Sequence, residues 1–135
     1  MGGGEPDGIE CLLVDDHLSV LDALQDLLEA EGIVVVGRAL TGAEALAFAP
    51  EHATVVVTDL RLPDISGMEV ARELLRMQPG RAVVLYSATI GAVGAAAAVA
   101  IGVRGVVLKE SVSRELPVAI RTVAGGGTYL DPRLG

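Results

Sequence analysis

Aromatic side chains are almost missing from this chain, whose 135 residues include no tryptophan, one phenylalanine and two tyrosines. A core must therefore be built from Val, Leu, Ile and Ala, within an apolar fraction of 51%. The single cysteine, Cys11, excludes an intrachain disulfide and suits a reducing compartment. It lies in an apolar run and reads as a small buried residue rather than a reactive thiol. Basic residues are scarce too: ten Lys and Arg against eighteen Asp and Glu give a formal charge of −8. That balance argues against direct nucleic-acid binding, because phosphate contacts need clustered cations. No apolar run approaches the roughly 18 residues of a spanning helix, and the stretch from Gly91 to Val103 is small and broken by glycine. The first eight residues lack the apolar centre of a signal peptide and read as a flexible tail. The expectation is one cytoplasmic domain with no membrane association, burying about two-thirds of its unfolded surface.

What is present is an alternation. Apolar β-branched runs and stretches of helical periodicity follow one another five times. Strands are expected at about Glu10–Val14, Val34–Ala39, Val55–Thr58, Ala82–Tyr86 and Gly105–Leu108. The first helix runs from about Leu18 to Glu31 and stops at Gly32, with Val20, Leu21, Leu24, Leu27 and Leu28 on one stripe. The second follows a Thr41 cap to about Ala49, where Pro50 ends it. The third spans about Gly67 to Gln78, with Val70, Ala71, Leu74 and Leu75 facing inward, and Pro79-Gly80 beyond it. The fourth, within Ala92–Ile101, has little side-chain volume and should be the least firmly anchored. The fifth covers about Ser113–Ala124, with Leu116, Ile120 and Val123 inward. Pro117 sits awkwardly inside it, so its start is expected to slip. Residues 9–130 then form the domain, and the segment from Thr128, above all residues 131–135, reads as the start of a linker. Five βα units in series imply a parallel sheet with helices on both faces and right-handed crossovers.

Strands of a parallel sheet all end on one side, where open α/β folds bind ligands. Here the first strand delivers Asp15 and Asp16, the third Asp59, the fourth Ser87 and the fifth Lys109. Each has a bland reading: Asp16 as a helix cap, Ser87 as a turn residue, Lys109 as a solvated strand end. Together those readings require a coincidence at one edge. Two carboxylates about 4 Å apart repel by about 4 kcal/mol at an effective dielectric of 20. One lysine leaves excess negative charge, which suits a hard divalent ion, Mg²⁺ by default. Carboxylates, a cation, a lysine and a hydroxyl form a phosphoryl-transfer arrangement. No phosphate loop of the G-x-x-x-x-G-K-[ST] kind is present, which disfavours a nucleoside triphosphate and favours a carboxylate nucleophile.

At this point the chain resembles a response-regulator receiver domain of the NarL/FixJ (LuxR-type) subfamily. The resemblance rests on Leu13-Val14-Asp15-Asp16-His17, on Thr58-Asp59-Leu60-Arg61-Leu62-Pro63-Asp64-Ile65-Ser66-Gly67, on Tyr86-Ser87-Ala88 and on Gly105-Val106-Val107-Leu108-Lys109. The tail Gly126-Gly127-Thr128-Tyr129-Leu130-Asp131-Pro132 is similar as well. The resemblance implies a flavodoxin-like, CheY-like doubly wound sheet of five parallel strands in the order 2-1-3-4-5. It implies that Asp59 accepts a phosphoryl group from a sensor histidine kinase. Asp16, Asp59 and the backbone carbonyl of Arg61 would ligate Mg²⁺, with Asp15 acting through water. Ser87 would hydrogen-bond the phosphoryl oxygens, and Lys109 would pair with the site before and after modification. Beyond its own phosphotransfer and slow dephosphorylation such a domain is not an enzyme. It would act through its fourth helix, fifth strand and fifth helix, with a homodimer on phosphorylation as an analogy from the family. Relatives carry a C-terminal helix-turn-helix domain that contacts DNA, so Gly135 would fall where that connection begins, in a receiver fragment or a stand-alone receiver.

Three features depart from the pattern. Val106 stands where the family usually carries an aromatic switch residue. Glu110 replaces the proline common after the lysine, so no cis peptide is expected there. Arg61 sits two residues after the acceptor, either over the site or in solvent. It also counts against an aspartate-nucleophile phosphatase, whose second acid would occupy that position. The missing aromatic keeps open a phosphorylation-independent pseudo-receiver acting as an interaction module. His17 is expected in a loop or capping role rather than as a metal ligand, and His52 in a surface loop.

Overall fold

The computed structural model describes residues 8–134, apart from the side chains of residues 49–52. Most of the proposed tail, residues 1–7, and Gly135 lie outside that range. The chain runs β1 (Glu10–Val14), α1 (Leu18–Ala30), β2 (Val34–Ala39), α2 (Gly42–His52), β3 (Val55–Asp59), α3 (Gly67–Met77), β4 (Ala82–Ser87), α4 (Ala92–Ala100), β5 (Gly105–Leu108), α5 (Val112–Ala124) and β6 (Tyr129–Leu130). All strand pairs are parallel, in the order β2-β1-β3-β4-β5-β6. The five-strand order expected from the resemblance is present, and β6 extends it by one short strand.

Alternation along each strand decides which helix it supports. Cys11 and Leu13 of β1 face α1 and α5, where Leu21, Leu24 and Leu28 meet Leu116, Ile120 and Val123. Leu12 and Val14 face the other way, toward Ala45 of α2, Val70 and Leu74 of α3, and Ala95 and Ala98 of α4. Because both faces are covered, every residue of β3, β4 and β5 is buried, as expected for the inner strands of a parallel sheet. Each fully buried Leu or Val contributes about 1.5–3 kcal/mol, which compensates for the lack of aromatic bulk. The weak anchoring expected of α4 is visible: it buries only Ala95 and Ala98, and Val93 is 86% exposed. Cys11 is fully buried, and burial pushes its thiol up to about 12.

Caps and glycines set the connections. Thr41 and Ser66 accept hydrogen bonds from the N–H groups of Glu44 and Glu69, both at 3.1 Å. Gly32 leaves α1 with φ +83. Gly67 is required by closeness rather than conformation, since a Cβ there would stand 2.2 Å from the Asp59 carbonyl oxygen. Asp64 accepts from the N–H groups of Gly42 and Ala43 at 2.8 and 2.9 Å, tying the β3–α3 loop to the start of α2. Those two donors hold its carboxyl below the usual range.

The helices with prolines differ from expectation. α2 does not stop at Pro50 but continues to His52, because an internal proline removes one hydrogen bond without necessarily ending a helix. The His52 side chain, expected in a surface loop, lies outside the described residues. α5 starts at Val112 after a 3₁₀ turn at Lys109–Ser111 and accommodates Pro117 internally. Pro117 is buried there, so burial of its ring offsets part of the lost bond. All peptide bonds among the described residues are trans.

The segment after α5 is held against the sheet. Tyr129 and Leu130 pair with Gly105 and Val106. Asp131, 2% exposed, accepts from the N–H of Leu108 and the N–H of Arg133, both at 2.9 Å. Arg133 in turn pairs with Glu110 at 2.9 Å. Asp131→Ala leaves the Leu108 N–H buried without a partner and is expected to lower stability by about 1–3 kcal/mol in urea unfolding. An unchanged midpoint would mean that β6 depends on backbone pairing alone.

Candidate functional site

The expected residues do converge. β1 and β3 are adjacent, with Val14 opposite Thr58, so Asp15 emerges beside Asp59. β4 brings Tyr86 into register with Asp59, and Ser87 with Leu108. The 3₁₀ turn after β5 then starts at Lys109. Asp59 is 2% exposed. Its Oδ2 accepts from Lys109 Nζ at 2.9 Å and its Oδ1 from the N–H of Arg61 at 3.1 Å. Burial pushes the Asp59 carboxyl above its ordinary value, and these two donors recover only part of that cost.

Asp15 is fully buried. Its Oδ1 accepts from the His17 N–H at 2.8 Å and meets His17 Nδ1 at 2.9 Å. Its Oδ2 accepts from the Tyr86 hydroxyl. Burial alone would raise this carboxyl, but the hydrogen bonds from Tyr86 and His17 outweigh it and hold the group below the usual range. The Tyr86 phenol is driven up by its burial and by Asp15. Asp16 is more exposed and lies 3.1 Å from His17 Nδ1. It does not cap α1, because the capping position belongs to His17, whose carbonyl accepts from Leu21 at 3.1 Å.

His17 corrects the sequence-based expectation in part. It occupies the capping position through its backbone only, and its side chain makes no capping bond. Instead the ring joins the acids, and the hydrogen bond to Asp15, with the charges of Asp16 and Asp15, raises its basicity. Ligand atoms of Asp15, Asp16, His17 and Asp59 all lie within 4.8 Å of one another, so this cluster is able to hold a metal ion. The oxygen-rich donor set suits a hard divalent cation such as Mg²⁺. The exposed His17 ring bridges the acids without being buried by them.

A cavity of about 160 Å³ opens beside the cluster, lined by Asp59, Arg61, Ser87, Ala88, Thr89 and Lys109. Ser87 Oγ accepts from the N–H groups of Thr89 and Ile90 at 3.0 and 3.1 Å, leaving its proton free to be donated into that space. Arg61 lines the cavity and is exposed, and its guanidinium has no hydrogen-bond or ion-pair partner among the described residues. Val106, at the expected switch position, is fully buried between Leu85 and Leu130. Sequence reasoning missed Tyr86 as a participant. Its ring also lies under the lysine, with Lys109 Nζ 5.2 Å from the centroid. The available signal was a lone aromatic next to the polar end of an otherwise aliphatic strand.

The chain is similar to known proteins. A family model described as the response regulator receiver domain matches residues 11–121. The chain is 36% identical over 127 residues to the DNA-binding transcriptional activator DevR/DosR of Mycobacterium tuberculosis, covering 93% of this chain and 58% of that protein. It is similar to the transcriptional regulatory protein UhpA of Escherichia coli, at 36% identity over 126 residues, covering 92% and 63%. A crystal structure of a LuxR-family two-component response regulator from Aurantimonas sp. superimposes with a TM-score of 0.89 at 30% identity, covering 93% of this chain and 91% of that one. The chain spans about three-fifths of the length of these two curated relatives.

The environment of Asp59 has a consequence for stability. Its folded-state pKa lies above the unfolded value, so its contribution is most favourable at low pH and is lost as pH rises through the folded pKa. In metal-free buffer, Asp59→Asn is therefore expected to raise the melting temperature at neutral pH. The gain should shrink as pH falls through the carboxylate range, where Asp59 itself becomes neutral. A neutral-pH melting temperature below wild type would show that the Lys109 pair outweighs the burial cost.

Proposed function

Because the chain belongs to the response regulator receiver domain family, we infer that it is the phosphorylated switch of a two-component system, with Asp59 as the acceptor. The observation that carries this reading is the placement of Asp59: a buried carboxylate bonded to Lys109, at a cavity that Ser87 also lines.

In this reading an Asp59 carboxylate oxygen attacks the phosphorus of a phosphohistidine on a sensor histidine kinase. The new O–P bond forms as the N–P bond breaks, and the electron pair returns to the imidazole, which takes up a proton. Lys109 exchanges its contact with Asp59 for one with the transferred group, and Ser87 donates its free proton to a phosphoryl oxygen. Asp16, Asp59 and the Arg61 carbonyl would hold Mg²⁺, with Asp15 acting through water, and the ligand atoms of the three acids lie within 4.8 Å of one another. When bound, the ion offsets the negative charge that the acids and the incoming phosphoryl group bring together. The domain is a signalling element rather than a turnover enzyme, and hydrolysis of its own acyl phosphate would reset it.

DNA-binding relatives extend beyond the matched region, and we assign this domain the control of such an output domain in a cytoplasmic regulator, with dimerisation on phosphorylation as one route. No helix among the described residues is long and apolar enough to cross a membrane.

Incubation with Mg²⁺ and a small phosphodonor, followed by intact mass measurement, tests the reading. One phosphate adduct is expected on the wild type and none on Asp59→Asn. An adduct that survives this substitution, or none at all, rejects it. Arg61 supplies a second test. Its guanidinium, unpaired among the described residues, lines the cavity; if it shields the acyl phosphate from water, Arg61→Ala should shorten the phosphoryl half-life roughly fivefold, equivalent to about 1 kcal/mol. An unchanged half-life would place the side chain in solvent.

A further inference from the structure

We propose that Tyr86 is a positioning residue for this site, its hydroxyl fixing the carboxylate of Asp15 and its ring seating the ammonium of Lys109. The inference rests on the receiver reading above and extends it to a residue with no assigned role.

The side chain is 1% exposed and packs among Leu13, Val84, Val107 and Leu116. Phenylalanine would fill nearly all of that space, so packing alone does not call for a hydroxyl. The hydroxyl matters to Asp15. One oxygen of that carboxylate has two donors, both from His17, whereas Tyr86 is the protein donor on Oδ2. A fully buried carboxylate oxygen without a donor bears a large desolvation cost. Without the phenol, Asp15 must turn, take up a proton or recruit water. Turning or protonation removes negative charge from beside Asp16 and Asp59, and a water replaces a fixed donor with a mobile one.

The backbone reinforces this placement. Tyr86 lies opposite Asp59 on one side and Val107 on the other, and its carbonyl accepts the Leu60 N–H at 3.1 Å. Main chain and side chain thus fix the same residue against the β3 end, the β1 acids and the lysine. The ring face, 5.2 Å from Lys109 Nζ, gives the amine a second favourable surface beside Asp59. One side chain therefore spaces two functional groups that arrive from β1 and β5.

Partners that orient metal-binding groups are typically worth 10–100-fold in metal affinity. Calorimetric titration with Mg²⁺ alone should show at least tenfold weaker binding to Tyr86→Phe than to the wild type. In phosphorylation from a small donor, the half-saturating Mg²⁺ concentration should rise by a similar factor, and the rate at saturating Mg²⁺ should stay within twofold. A core tyrosine with no role at the site would not produce that split.

The chain has two tyrosines and no tryptophan, so tyrosine fluorescence supplies a test independent of the substitution's effect on folding. Mg²⁺ should change the emission of the wild type and of Tyr129→Phe alike. Mg²⁺ affinity of Tyr86→Phe within twofold of wild type overturns the inference while leaving the receiver reading intact. So does an emission unmoved by Mg²⁺ that calorimetry shows to bind. A wild type that neither binds Mg²⁺ nor accepts phosphate overturns both.

Discussion

The structure depends on the cost of holding carboxylates together at the end of a buried sheet. Asp15 and Asp59 are almost without solvent contact, and at that depth neither stays charged without help. The protein meets the cost differently for each. Asp15 collects donors from His17 and Tyr86 and is held in its ionised form. Asp59 receives one lysine and one backbone N–H and remains under-compensated. A partly buried ion pair such as Asp59–Lys109 adds little net stability. What it does provide is an amine already in place beside Asp59, and a buried carboxylate whose charge a cation would relieve.

Much of the remaining architecture keeps that edge in position. Gly67 lets α3 begin against the Asp59 carbonyl, where any side chain would collide with backbone. Asp64 ties the same loop to the start of α2. On the far side, Leu108 and Glu110 flank Lys109, and both hold the exit segment, through Asp131 and Arg133 respectively. The residue that touches Asp59 thus lies between two residues that touch the segment after α5. Val106, at the position where the resemblance notes a missing aromatic switch residue, is buried between its neighbours.

Most of this was legible in the chain, because burial on both faces writes a parallel strand as an unbroken apolar run. Val55–Val57 announces its strand, and the acid that ends it announces the edge. The limits at Pro50 and Pro117 were misjudged or left open because a proline constrains its own turn, while tertiary packing decides whether a helix tolerates it. The tail around Tyr129–Asp131 read as a linker because a two-residue strand has no periodicity of its own. It becomes a strand only where β5 offers an unpaired edge.

Asp59 shows the division most plainly. Its place at the end of β3, and the order in which Asp15, Asp16, Ser87 and Lys109 approach it, follow from the sequence, since strand ends in a parallel sheet share one side. Which donors satisfy which oxygens does not follow, because those bonds join residues far apart in the chain at distances set by strand register and rotamer. Only the tertiary structure assigned Tyr86 to Asp15, drew His17 into the acidic cluster and placed Arg61 at the cavity. The cost of an unpaired charge in a water-poor interior is what makes those assignments matter.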